Sequence, residues 1–377
     1  LFRFKQTFFQ LFLYKINQAH LISSQKYLPV TLIYPMKKHF LIISAFFFCL
    51  LPQPAHSWGF YAHQRINRYA VFLLPPEMVG FYKKHIQFIT EKAVNPDKRR
   101  YAVIGEAERH YIDLDIYGDS AFYKMPRRWE DAVARYTEDT LRAYGIVPWQ
   151  INRMKYQLTE AFKRRDAAEI LRLSADIGHY IGDANVPLHT TENYNGQKTG
   201  QNGIHGFWES RLPELFADSY DFFIGRAAYE PHPLMRAWQA VGEAHFALDS
   251  VLGFERKLTL HFGDDRKYSY ETRNGLNIRV YSKEFSAAYH HMLAGQVERR
   301  MRASIKMIAD FWFTCWVDAG QPDLNELGRQ SYLEPSEAEA PEGEPLPVRP
   351  HEGMPFGWRK FNNKGCCSEE VIRADAR

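Results

Sequence analysis

Residues 166–189 read DAAEILRLSADIGHYIGDANVPLH, and the reading of this stretch decides the fold. Asp166 is an N-cap residue type, and the helix it opens runs through AAEILRLSADIGHYIGDA. Its last two turns carry His179 and Asp183, which at spacing four lie on one face, one above the other. Pro187 cannot continue a helix interior and disfavours the α conformation at Val186, so the helix should stop near Asn185. The chain should then turn and return His189 toward His179 and Asp183. Two imidazoles and a carboxylate gathered at a helix end are an arrangement for holding something.

Outward from this segment the chain reads as helix nearly throughout. Ala62 to Leu74 has helical periodicity and ends at Pro75-Pro76. Trp129 to Tyr144 and Pro148 to Arg164 follow, the second with proline at its start. MRAWQAVGEAHFALDSVL after Pro233 is another candidate, and Ser282 to Val317 reads as one long amphipathic helix with room for a break. Strand signals are weak, LNIRVY at Leu276 to Tyr281 being the best. The expected class is mostly α: a single multi-helix domain, residues 58–319.

The 377 residues are 45% hydrophobic and 24% charged, enough to bury a sizeable core. A net charge of +4 on this length argues against a nucleic-acid electrostatic footprint as the main feature, while leaving room for a local basic groove. Met36 opens a segment with the grammar of a secretory signal: Lys37 and Lys38, the apolar run FLIISAFFFCLL, then Ala55-His56-Ser57 with small residues where a signal peptidase reads. The 12-residue run from Phe40 to Leu51 is too short to span a bilayer, which needs roughly 20 residues. Residues 36–57 are therefore expected to be a signal peptide cut before Trp58, and residues 1–35 an upstream extension that is not native. The product would be exported, to the periplasm or out of the cell. Past Ala319 the composition turns to Pro, Glu and Gly, so 320–377 is expected to be a flexible, disordered tail. Cys315, Cys366 and Cys367 remain after the cut, an odd number that makes no disulfide framework.

The residue types that ligate metals can now be set side by side. His63 lies five residues after Trp58. NPDKRRYAVIGEAERHYIDLD offers Asp97, His110, Asp113 and Asp115. His179, Asp183 and His189 follow, and GIHGFWESRL places His205 and Glu209 at spacing four. Any single His–carboxylate pair is more often a satisfied polar contact than a site. Here there are two such pairs and three further histidines, more ligands than one zinc ion can use, and imidazole with carboxylate suits zinc. That surplus points to a cluster.

A Trp-Gly with a nearby His, an Asp followed by HYID, then HYIGDANVPLH and His-x3-Glu, all in this order from Trp58 to Glu209, resembles the superfamily of bacterial zinc-dependent phospholipase C and the single-strand-specific zinc nucleases. The resemblance implies three zinc ions at the bottom of a cleft. One would take Asp97, His110 and His179 with Asp183 bridging. A second would take the amine and carbonyl of Trp58, His63 and the other oxygen of Asp183. The third would take His189, His205 and Glu209. Asp97 is preferred to Glu106, Glu108 and Asp113 as the first carboxylate, and Asp113 and Asp115 would orient a ligand histidine or the N-terminal amine unless they pair with Arg99, Arg100 or Arg109. Cleavage before Trp58 would matter to the chemistry, because it turns an amide nitrogen into an α-amine that zinc can deprotonate.

What the resemblance implies about activity is phosphodiester hydrolysis by a metal-activated water, with Asp183 and Asp97 catalytic and Asp97 also orienting or deprotonating that water. No covalent nucleophile is expected, since there is no Gly-rich phosphate loop and no Ser-His-Asp order. The terminal Glu209 and the short loop from His189 to His205 lean to phospholipid head groups as substrate. The Trp58-to-His63 step and the words HYID and HGFWE lean to the alternative, a single-strand-specific nuclease or 3'-nucleotidase. Phe60, Tyr61, Tyr194 and Phe207 are candidates to stack bases or rest against acyl chains. A secreted zinc-binding protein without turnover is the minor alternative, disfavoured because closed structural sites usually use cysteine. A transient contact with a membrane surface is compatible with this reading, and no stable protein partner is expected.

Overall fold

The computed structural model describes residues 59–273 and 275–327. The expected signal peptide, Trp58, residues 1–35 and residues 328–377 of the expected tail lie outside them. The first helices are α1 (Phe60–Ala70), α2 (Pro76–Lys84), α3 (Ile86–Lys92) and the short α4 (Asn95–Arg99). After a stretch of turns come α5 (Trp129–Tyr136), α6 (Glu138–Tyr144), α7 (Val147–Arg164) and α8 (Ala167–Ala184). Then follow α9 (Pro233–His245), α10 (Leu248–Thr259), the hairpin β1 (Tyr268–Arg273) and β2 (Leu276–Tyr281), α11 (Lys283–Met292), α12 (Gln296–Asp318) and α13 (Leu324–Leu327). The class is mostly α, as expected. No helix among the described residues is long and apolar enough to cross a membrane.

α8 is the axis of the bundle. Asp166 accepts from the Glu169 N–H at 3.0 Å and starts it, and Asn185 ends it. It packs against α7, α3, α12, α1 and α9, so almost every residue from Ile170 to Ala184 is buried. A helix surrounded on all sides must be free of exposed polar faces or find partners for them. α8 does the second, burying Asp176, His179 and Asp183. Its crossing with α1 depends on two glycines one turn apart. A Cβ on Gly178 would lie 2.0 Å from Asn67 Oδ1, and one on Gly182 would meet Ile66 Cδ1 at 2.8 Å and His63 Nδ1 at 2.9 Å. That close approach lets the His63 ring stack on His179, centroids 4.0 Å apart.

Several sequence expectations shift. The helix expected over Trp129 to Tyr144 breaks at Thr137, which has φ 66° and whose Oγ1 accepts from the Thr140 N–H to start α6. The expected long helix from Ser282 divides into α11 and α12, because Ala294 and Gly295 take consecutive left-handed conformations. LNIRVY is a strand, and its partner Tyr268–Arg273 pairs antiparallel with Tyr268 opposite Tyr281. The packed chain also runs past Ala319: Leu324 and Leu327 of α13 are buried, and α13 packs against α2. Composition hid this, because two leucines amid polar residues are sufficient to seal one edge.

Candidate metal centre

Eight of the nine residues expected at the site are described, and they converge beside the C-terminal end of α8. His63 comes from α1, Asp97 from α4, and His110 from a 3-10 turn, Ala107–His110. His179 and Asp183 come from α8, and His189 from a second 3-10 turn, Pro187–Thr190, that Pro187 opens. His205 precedes, and Glu209 lies within, a widened π-helical turn, Phe207–Arg211, of the kind that often marks functional sites.

Asp183 is the hub, its two oxygens facing different histidines. Oδ2 lies 2.9 Å from His110 Nδ1 and 3.2 Å from His179 Nε2; Oδ1 lies 3.4 Å from His63 Nε2 and 3.8 Å from His189 Nε2. Asp97 Oδ1 stands 3.7 Å from His110 Nδ1 and 3.6 Å from His179 Nε2. On the other side Glu209 Oε2 is 3.0 Å from His205 Nε2 and 3.3 Å from His189 Nε2. Three groups of ligand atoms result: His63, Asp97 and His179; His110, His179 and Asp183; and His189, His205 and Glu209. His179 thus belongs to two of them, and Asp97 sits within reach of both His110 and His63.

The donor set fits a cation. His179 Nδ1 donates to Ala93 O at 2.9 Å, His189 Nδ1 to His110 O at 2.5 Å and His205 Nδ1 to Tyr194 O at 3.2 Å. These bonds fix each ring so that Nε2 is turned toward carboxylate oxygens. A neutral Nε2 facing a carboxylate sets lone pair against lone pair, so the geometry calls for positive charge between them. The titration of His179 expresses the same demand: burial opposes its charge, yet Asp183 and Asp97 push its imidazolium up to about 9. Burial likewise opposes charge on Asp183, but His179, His189 and the hydrogen bond from His110 hold its carboxyl well below the usual range. Ligands about 2.0–2.1 Å from a tetrahedral ion stand about 3.3 Å from one another, which is the spacing most of these atoms already have.

A shallow cleft opens beside His63 and Glu209. Its walls are largely apolar, with Ala62, Ile66, Val186, Trp208, Val297 and Met301, and Arg300 lies at one side. Gly59, the first described residue, lines it too.

Other expectations are corrected. Phe207 cannot take a substrate: it is buried, stacked on Tyr281 at 3.8 Å and on Tyr289 at 4.9 Å. Tyr194 and Tyr61 are half-buried, and Tyr61 accepts from Arg65 at 2.6 Å. Asp115 neither orients a ligand ring nor pairs with Arg99 or Arg109; it accepts from Thr191 Oγ1 at 2.7 Å and from the Glu192 N–H at 3.0 Å, pinning the loop just after His189. Arg99 and Arg109 go instead to Glu106, which sequence reasoning set aside as a ligand and which lies behind His110. The signal for it was its place four residues before His110, one turn away in the segment that delivers that ring.

The fold and site together define an all-α chain bearing contiguous buried histidine–carboxylate groups that could hold metal ions. No protein-family model matches the chain, and no curated protein matches it. Among solved structures, the crystal structure of Clostridium perfringens alpha-toxin from the avian strain SWCP is similar over 72% of this chain and 66% of that one, with a TM-score of 0.41 and 11% identity. The match therefore spans less than two thirds of that protein's length. A likeness at this level fixes neither family nor activity.

Proposed function

We propose that this chain is an exported zinc-dependent phosphodiester hydrolase, acting like a phospholipase C on phospholipid head groups. The observation that carries the reading is Asp183, a buried carboxylate whose two oxygens face separate histidines, the arrangement a carboxylate needs to bridge two ions. His110 and His179 with Asp97 and Asp183 would hold one ion; His63 and Asp183, completed by the amine and carbonyl of Trp58 once the chain is cut before it, a second; His189, His205 and Glu209 a third. Bound there, such ions would supply Lewis-acid charge to the phosphoryl oxygens and leaving group and would lower the pKa of the attacking water.

The side chains do the rest. Asp97 is the most exposed carboxylate of the centre, its side chain 12% accessible against 2% for Asp183. It is therefore the one to orient an incoming water and take its proton. The backbone bonds to His179, His189 and His205 keep the Nε2 atoms aimed without reorganisation during the reaction. The cleft beside His63 and Glu209 gives a substrate a way in, with apolar walls and the Arg300 guanidinium among its lining.

The test is direct. The processed protein is incubated with phosphatidylcholine vesicles and, separately, with single-stranded DNA and RNA, each with and without a zinc chelator. Release of phosphorylcholine that chelation stops and added zinc restores is the expected result. Consumption of nucleic acid alone would replace the lipid reading with the nuclease one. Zinc-dependent folding with no turnover of any phosphodiester would leave a binding protein.

A further inference from the structure

His110 is the odd histidine of the centre. His179, His189 and His205 all back their outer nitrogen onto a neutral backbone carbonyl and turn Nε2 inward. His110 is reversed: Nδ1 faces Asp183 and His179, at 2.9 and 3.0 Å, and Nε2 points outward into buried surroundings. Glu106 Oε1 stands on that side, 3.8 Å from Nε2.

Glu106 is fully buried and held from several sides. It takes Arg109 Nη1 at 2.7 Å and Arg99 Nε at 3.2 Å, and accepts a short hydrogen bond from the Tyr180 hydroxyl. Arg99 is in turn anchored on Asp176 at 3.0 Å. A line of alternating charges thus runs from the metal centre through His110 to Glu106, Arg99 and Asp176. At 3.8 Å Glu106 is beyond hydrogen-bond range of Nε2 but near enough to polarise it, and a shift of under an ångström would close the bond. A carboxylate behind an imidazole makes it a more basic ligand than a carbonyl does.

We propose that Glu106 is a positioning residue that, through His110, makes the His110–His179–Asp183 group the tightest of the three metal positions and the last to lose its ion. This rests on the metal-centre reading above. The full processed chain is titrated with zinc against a graded chelator buffer, and bound zinc per chain is measured by atomic absorption. Wild type should fill in separable steps, with His110→Ala removing the tightest and His205→Ala a weaker one. Glu106→Gln should weaken the tightest step about 10–100-fold, the usual cost of losing such an outer partner, and leave the His205-dependent step where it was. An unmoved tightest step, or equal weakening of every step, overturns the proposal. Should Glu106→Gln not fold, Arg109→Gln serves, because it frees Glu106 toward His110: the tightest step should hold or tighten, and weakening overturns the proposal. A wild-type chain that binds no zinc at all overturns instead the reading on which the proposal rests.

Discussion

The two halves of the centre are built differently. The half around His110, His179 and Asp183 takes His179 and Asp183 from α8, the core helix, and only His110 from a 3-10 turn, and is backed by the charged line of Glu106, Arg99 and Asp176. The half around His189, His205 and Glu209 is carried by a 3-10 turn, a π-helical turn and the loop between them, and its histidines lean on neutral carbonyls. The same ligand chemistry thus rests once on a rigid core element and once on short segments whose shape depends on local hydrogen bonds. Regular helix gives the first its permanence, whereas irregular backbone leaves the second open to adjustment.

The sharpest way to break the contrast is at the shared residue. Asp183→Asn leaves His110, His179 and His63 without their common counter-charge, and removing one partner of a buried ion pair costs about 3–5 kcal/mol. Phosphodiester hydrolysis should fall by more than the roughly 100-fold that an outer partner costs, and bound zinc should drop in both halves. His205→Ala should separate them: zinc content falls by one ion while the melting temperature stays close to wild type, and an equal loss from the α8 half would erase the distinction. Gly182→Ala attacks the rigid half through packing, since the new methyl meets Ile66 and His63; denaturant unfolding should register about 1–3 kcal/mol of overpacking.

Smaller effects belong to the adaptable half. Asp115→Asn weakens the clamp on Thr191 and Glu192, and a loss of about 0.5–1.5 kcal/mol is expected, visible as faster amide exchange after His189 with α8 unaffected. Smallest is a pH effect near the hairpin. Arg211, two residues after Glu209, forms a paired contact with Glu271 of β1, and Glu214 faces Arg273 at 3.4 Å. Burial outweighs that arginine and pushes the Glu214 carboxyl up to about 7. The folded chain thus binds this proton more tightly than the unfolded one, so stability should decline as pH rises from about 4.5 to 7. Glu214→Gln should flatten the decline, measured as melting temperature against pH.

What the sequence disclosed follows the same divide. α8 was legible because its cap, its period and its stop at Pro187 agree, and His179, Asp183 and His189 fall where that grammar puts them. The pair His205 and Glu209 was legible by spacing, but the π-helical turn was not, because an extra residue per turn leaves no mark on a four-residue interval. Glu106 was rightly passed over as a ligand in favour of Asp97, but its place behind His110 was not legible, because residue type and distance along the chain do not say which side of the ring a carboxylate will face. The break at Thr137 and the buried leucines of α13 were hidden by tertiary packing that overrides local composition.

His110 joins the halves in one more way. Its imidazole serves one group while its carbonyl aligns His189 of the other, and the Ile112 N–H reaches back to the His189 carbonyl at 2.9 Å. Neighbouring main-chain bonds tie Asp113 to Tyr144 and Val147 to Tyr111. A deletion or insertion between 110 and 113 would therefore misalign both halves together, a fault no side-chain replacement could mend. Length variation among natural homologues should fall elsewhere, in exposed stretches such as 197–200 or 221–232, and leave that four-residue splice intact.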